Sequence, residues 1–346
     1  MTGTGGGSRR GDPYERIVAA DGRPGIYESN YLKGNARDGC GAFWVKHNVL
    51  VPADGSALPA VAEFWCVLWL AADGWRPRVW KRVAPLGSVR LAGDRVEIEA
   101  ESVHLRPGRA SGELPGPPAV SWELAIEDEL PPLRHFGADW MYEKGFPRKK
   151  LVTGSPRAIF TGRFTIGDRS VAVDRWVGHR NHNWGTEHAE RYAYGSCSLW
   201  EDGADLTVEG FTVQVRLVGP LRSPWSTLVR GMDGAVPYGE GSLHGMLRHA
   251  GDVDWPVWTA WTGGRRGRVR LEMALDPAHA AGLRYLHPDG RLSYCYNAKD
   301  ATVDLLLGGV RHRSRGGELE FLFPDPIDGI ALHGEATVEE LADAAG

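Results

Sequence analysis

Hydrophobic positions along this chain recur with a period of two far more often than at the spacing of a helix. Val120, Trp122, Leu124 and Ile126 alternate with Ser121, Glu123 and Glu127, which predicts a half-buried strand. Phe43, Val45, His47, Val49 and Val51 share one side of an extended segment, which places a histidine on an inward face. Residues 63–70 are nearly all apolar, as in a strand covered on both faces, and Glu63 falls in register with Trp65, Val67 and Trp69. Residues 95–105 read as a strand whose alternation slips around Ala100 to Val103, the pattern of a bulge. Residues 159–166 and 170–177 flank Gly167-Asp168-Arg169, a hairpin signal.

Further short β-rich segments follow at 192–200, 206–218, 255–262, 269–275, 292–296, 303–307 and 318–323. Brief helices fit only residues 277–283 and 338–344. The expectation is an all-β protein, its corners supplied by 46 glycines and 22 prolines. At 346 residues the chain exceeds the usual size of one core, so two domains are expected. The polar, Gly-containing stretch 184–190 near the middle suggests a flexible tail over 1–12, one domain over 13–187 and another over 188–340.

The most polar stretch is Gly178-His179-Arg180-Asn181-His182-Asn183-Trp184-Gly185, at the end of the second hairpin arm. If it stays extended from Trp176, then Trp176, Arg180, His182 and Trp184 share one face, and His179, Asn181 and Asn183 the other. A buried amide or imidazole without a partner costs roughly 1 to 3 kcal/mol, so such a cluster fits the surface, a satisfied network or a ligand site. Glu209, in register with Phe211, Val213 and Val215, reads either as a satisfied structural acid or as a proton donor tuned by burial.

Bulk properties narrow the classes. A formal charge of −4 argues against nucleic acid or anionic membrane as main partner, and the Arg-rich patches at 265–268 and 311–315 read as hairpin turns. Four scattered cysteines lack metal-ligand spacing and are expected to be free. His179 and His182 point to opposite faces of a strand, and with His188 they lack the further ligands zinc needs, so no metal is expected. Gly195-Ser196-Cys197-Ser198 departs from the hydrolase nucleophile pattern. The longest apolar run, 64–72, is too short to cross a bilayer as a helix and no apolar leader opens the chain, making the cytoplasm the expected address. Tryptophan, at 14 residues, is roughly three times its ordinary usage, which suits the walls of an apolar pocket or the interior of a barrel.

The 178–185 stretch, with Glu187-His188 and Tyr192-Ala193-Tyr194 after it, resembles the HNWG signature of the two-domain lipocalin-like family often called AttH-like. Carotenoid 1,2-hydratase (hydroxyneurosporene synthase), tocopherol-cyclase-like proteins and decalin-forming Diels-Alderases belong to that family. Residues 160–165 and 329–339 add to a likeness spanning about residues 27 to 340. The resemblance implies two lipocalin-like antiparallel β-barrels side by side and a hydrophobic pocket at their junction. It also implies hydration, cyclisation or isomerisation of polyenes, terpenoids or polyketides without an organic cofactor or metal. It carries catalytic roles to His182 and Trp184, with Glu209 the candidate acid. Where hydratases carry Asp before the second His, this chain has Asn181, and an amide is no proton-donating acid.

The expected ligand-binding set is therefore Trp176, Arg180, His179, Asn183, His47, Trp65, Trp69 and Tyr194, around catalytic His182, Trp184, Glu209 and Asn181. The same cavity would equally serve a non-enzymatic carrier of a hydrophobic metabolite, and the signature equally fits a hydrogen-bond knot tying one barrel to the other.

Overall fold

The computed structural model describes residues 15–217, 221–262 and 269–333. The expected tail over 1–12, the patch at 265–268, the helix at 338–344 and Val218 at the end of its strand lie outside the described residues. The first sheet contains β1 (Ile26–Asn35), β2 (Gly41–Val51), β3 (Val61–Leu70), β4 (Arg78–Pro85), β5 (Arg90–Leu91), β6 (Ile98–Glu99), β7 (Val103–Arg106), β8 (Arg109–Leu114), β9 (Val120–Asp128), β10 (Leu133–Arg134), β11 (Lys149–Ile166) and β12 (Arg169–Gly185). Its order is β4-β3-β2-β1-β12-β11-β9-β8-β7-β6-β5, antiparallel throughout, with β10 beside β11.

The second sheet contains β13 (Arg191–Cys197), β14 (Leu206–Gln214), β15 (Ser226–Asp233), β16 (Val236–Tyr238), β17 (His249–Asp254), β18 (Val257–Thr262), β19 (Val269–Ala274), β20 (Ala281–Leu286), β21 (Leu292–Leu307), β22 (Val310–Phe323) and β23 (Leu332–His333). It runs β16-β15-β14-β13-β22-β21-β19-β18-β17, with β20 and β23 off that path. The α-helices among the described residues are two single turns, Trp140–Glu143 and Leu243–Met246. No helix among the described residues is long and apolar enough to cross a membrane.

Each sheet curls into a half-barrel, so the all-β expectation and the two lipocalin-like halves hold. In the first, Trp80 Nε1 donates to the Pro118 carbonyl at 2.8 Å and Arg82 to Ser102 Oγ at 2.5 Å, linking edges that share no backbone ladder. Phe43, Val45, Phe64, Cys66, Phe160, Phe164, Trp176 and Trp184 fill its interior, and a second core grows around Trp258, Leu271, Met273 and Phe321. A third apolar cluster lies between the halves, where Trp44, Trp65 and Trp69 of the first meet Tyr192, Tyr194, Leu283, Tyr285 and Leu322 of the second.

Several local expectations change. The slip near Ala100 is a hairpin turn between β6 and β7 and not a bulge. Residues 277–283 give one 3₁₀ turn, Pro277–His279, and then strand β20. Residues 292–296 and 303–307 are ends of one strand, β21. Arg311 and Arg313 flank Asp304 on the exposed β21–β22 hairpin, a solvated charge cluster. The four cysteines are unpaired, Cys40 exposed and the others buried.

Candidate active site

The alternation expected along the polar stretch is what β12 adopts, because it is paired on both sides, with β1 and β11. Gly178 permits the close approach: a Cβ there would collide with the Lys33 carbonyl of β1. One face of β12 looks into the first half-barrel and the other looks across the seam to the second.

On the inner face, three cross-strand rows set the site. Trp184 lies opposite Glu28 of β1, His182 opposite Asn30, and Arg180 opposite Leu32; across β1, Asn30 is paired in turn with His47 of β2. His182 Nε2 is 2.7 Å from Glu28 Oε1, and both residues are buried. Glu28 also accepts the Val18 and Ala19 amides at 2.9 and 2.5 Å, so its oxygens are held by three donors. The His182 ring stacks on Trp184, centroids 4.5 Å apart at 22°.

Beside this dyad, Asn30 Nδ2 is buried without a hydrogen-bond partner, and the buried His47 ring has only the Asn30 main chain within reach. Burial pushes the His47 pKa down to about 4, with the Asn30 main chain opposing, so this ring is neutral at physiological pH. Unpaired polar atoms in a barrel interior are costly, and a ligand is one way to satisfy them. A half-open pocket of about 410 Å³ lies alongside, lined by Asn30, Leu32, Val96 and Leu105 and by the charged Glu15, Asp94, Arg95, Arg106, Asp128 and Arg180; Glu28, His47, His182 and Trp184 are not part of its lining, and Asn30 is the residue that links it to them. Arg180 spans its rim, binding Asp128 at 2.7 and 2.8 Å and Glu15 at 3.0 Å.

The seam face carries a continuous buried network. Glu209 accepts from Tyr194 Oη at 2.7 Å, from Asn181 Nδ2 at 2.8 Å and from Thr153, with His135 Nε2 3.4 Å away. Tyr194 is 3.0 Å from Tyr31, which reaches Glu318 at 3.5 Å. Glu318 accepts from Ser196 at 3.0 Å, lies 3.0 Å from His179 Nε2 and pairs with Lys299, which also holds Glu320 at 3.1 Å. Asn183 is half-buried on this same face of β12.

These positions correct three expectations. Glu209 is not the neutral acid: although burial alone would raise its pKa, His135, His179 and Thr153 overcome it and hold the carboxyl below its usual range. Nor do Glu209 and His182 meet, since they lie on opposite faces of β12. Finally, Trp65 and Trp69 do not wall the cavity but pack in the seam, where Trp69 Nε1 donates to the His279 carbonyl at 2.8 Å. Tyr194, His179 and Asn181 likewise belong to the seam network, Trp176 packs against Phe43 in the barrel core, and Glu63 is an ionised partner of Lys81 and Asn48.

Sequence reasoning missed Glu28, Asn30, His135 and Lys299. Residues 26–35 offered no alternation, because every residue of β1 is buried and its polar side chains fall on both faces. The available signal was a run as polar as Glu28-Ser29-Asn30 between apolar neighbours.

No family model matches the chain. Two proteins of Mycobacterium tuberculosis, MT0513 of strain CDC 1551 / Oshkosh and Rv0493c of strain H37Rv, both described as uncharacterized, are each 25% identical over 279 residues, covering 79% of this chain and 78% of theirs. Two solved structures share the fold. An AttH-like protein of Nitrosomonas europaea (NE1406) superposes with a TM-score of 0.57 at 11% identity, covering 94% of this chain and 99% of that one. Kievitone hydratase of Nectria haematococca gives 0.54 at 10% identity, covering 91% and 95%. At these identities the likeness establishes the architecture, in agreement with the resemblance read from the 178–185 signature.

Proposed function

We propose that the protein is a hydratase-type enzyme. It adds water to, or removes it from, a carbon–carbon double bond conjugated to a carbonyl in a mainly apolar substrate of the terpenoid or polyketide kind. The observation that carries this reading is the buried Glu28–His182 dyad beside the unpartnered Asn30 Nδ2, Asn30 being the residue of the three that also lines a neighbouring pocket. Likeness in fold to kievitone hydratase supports the reaction class.

With two main-chain amides already on Glu28, the Nε2 proton of His182 points to the carboxylate. The Glu28–His182 pair takes a proton from water as the oxygen bonds to the β-carbon; the carbon–carbon π pair shifts to the α-carbon–carbonyl-carbon bond and the carbonyl π pair to the oxygen, giving an enolate. Asn30 Nδ2 donates to that oxyanion. The proton held by the pair then returns to the α-carbon, completing addition; the reverse is dehydration, and proton transfer without water is isomerisation. General acid–base help of this kind contributes roughly 10²- to 10⁴-fold. The steps are carbon–oxygen bond formation and proton transfers with no change of overall oxidation state, so none of them calls for an organic cofactor. Trp184 fixes the imidazole plane, and Arg180 at the rim suits a polar substrate end.

Incubation of the protein with conjugated enones of both classes in oxygen-18 water, read by mass spectrometry, tests this. Label should enter the product with wild type and fail to enter with His182→Ala and Glu28→Gln, each checked for folding by circular dichroism. Saturable binding with no label incorporation by wild type would favour a carrier of hydrophobic metabolites.

A further inference from the structure

At one end of the seam, two lysines approach aromatic rings and form no ion pair with Glu320, the carboxylate whose charge acts most on both. Lys46 of β2 is buried, its Nζ 3.9 Å from the centroid of Tyr285 and 5.3 Å from that of Trp44. Lys149 of β11 is half-buried, its Nζ 4.7 Å from the centroid of Tyr192. Neither ammonium makes a hydrogen bond or an ion pair with a described residue. Around them stand three further unsatisfied groups, Tyr27 Oη, His188 Nδ1 and His287 Nδ1. His188 stacks on Tyr27 at 3.8 Å, lies 5.5 Å from Tyr285 and meets His287 edge-on at 4.9 Å.

We infer that this cluster is a second binding site, distinct from the first half-barrel cavity, for a small monocarboxylate held between Lys46 and Lys149. Cation–π contact compensates only part of the loss of water around an ammonium, so two such groups together call for a counterion. Glu320 acts on both lysines through its charge but is bonded directly to Lys299 and Tyr192; Glu63, which acts on Lys46, is bonded to Lys81, Glu190 to Arg216 and Arg222, and Glu187 to Arg148. Burial lowers the Lys46 pKa to about 8 and that of His287 to about 4, so the imidazole is a neutral hydrogen-bonding group and the site's charge resides on the lysines. The half-buried Lys149 marks the way in. This site stands independently of the proposed hydratase chemistry.

Isothermal titration of the full chain with acetate, benzoate and inorganic phosphate, paired with thermal melting, tests it. At least one of the two carboxylates should bind saturably and raise the melting temperature; Lys46→Met and Lys149→Gln should each weaken binding at least tenfold, and His182→Ala should leave it unchanged. Lys149→Gln, at the half-buried rim, keeps the test decisive where Lys46→Met fails to fold. Absence of saturable carboxylate binding, binding of phosphate alone, or undiminished affinity in Lys149→Gln would overturn the proposal.

Discussion

His47 and His182 flank Asn30 on one barrel wall, yet only His182 has a carboxylate, and that difference decides what each ring does. Replacing Glu28 by Gln leaves the shape but turns the acceptor of the Nε2 proton into an amide, so the rate of oxygen-18 incorporation should fall by roughly 10²- to 10⁴-fold. For His47 the consequence appears in stability. Its folded pKa of about 4 lies below the ordinary 6.5, so the unfolded chain binds the proton first as pH falls. Stability contributed by this group is fully present above pH 6.5 and declines as pH drops toward 4, by up to about 3 kcal/mol. Urea unfolding at neutral pH and near pH 4.5 should show that loss, and His47→Leu should show a smaller one; an unchanged difference would place the proton uptake on other groups. Glu209, held ionised, belongs to the architecture, so Glu209→Gln should lower the melting temperature through its stranded donors, at a cost of about 1–3 kcal/mol.

The strands explain what the sequence could reveal and what it could not. β12 was legible because its polar and aromatic residues differ sharply from those of a one-sided strand, and its alternation correctly separates His182 and Trp184 from His179 and Asn181. β1 was not, since a strand buried on both faces loses the period of two, and here each face also carries polar groups: Glu28 and Asn30 inward, Tyr31 and Lys33 to the seam. The dyad joins residues 154 apart in sequence, so half of it could not be found from the signature. Gly178 is where both strands depend on a single atom. Gly178→Ala would drive a methyl into the Lys33 carbonyl, pushing β12 away from β1 at a cost of about 1–3 kcal/mol or more, visible as a lower melting temperature. Because both faces of β12 would shift, the same variant should also lose the proposed oxygen-18 incorporation although it touches no substrate group.

Across the whole molecule, the face of a strand that lines a pocket and the face that meets a second sheet look alike in sequence, which is why Trp65 and Trp69 were expected as cavity walls and instead join the halves. The seam also contains ions in full burial. Lys299 is wholly inaccessible and stands between Glu318 and Glu320, while Glu318 in turn serves Tyr31 of the first half-barrel. Withdrawing a charge from such a group leaves its partners uncompensated in a medium that cannot solvate them, whereas neutral replacement of all of them removes the desolvation cost as well. Lys299→Met should therefore destabilise the chain by about 3–5 kcal/mol, because two carboxylates then face one another without a cation. The triple variant Lys299→Met, Glu318→Gln, Glu320→Gln should be less destabilised than that single change. Guanidinium unfolding of the three proteins measures both differences. If the triple variant were instead the least stable, the seam would be held chiefly by the ion triad, and the apolar cluster around Trp44, Trp65 and Trp69 would be insufficient to keep the half-barrels together.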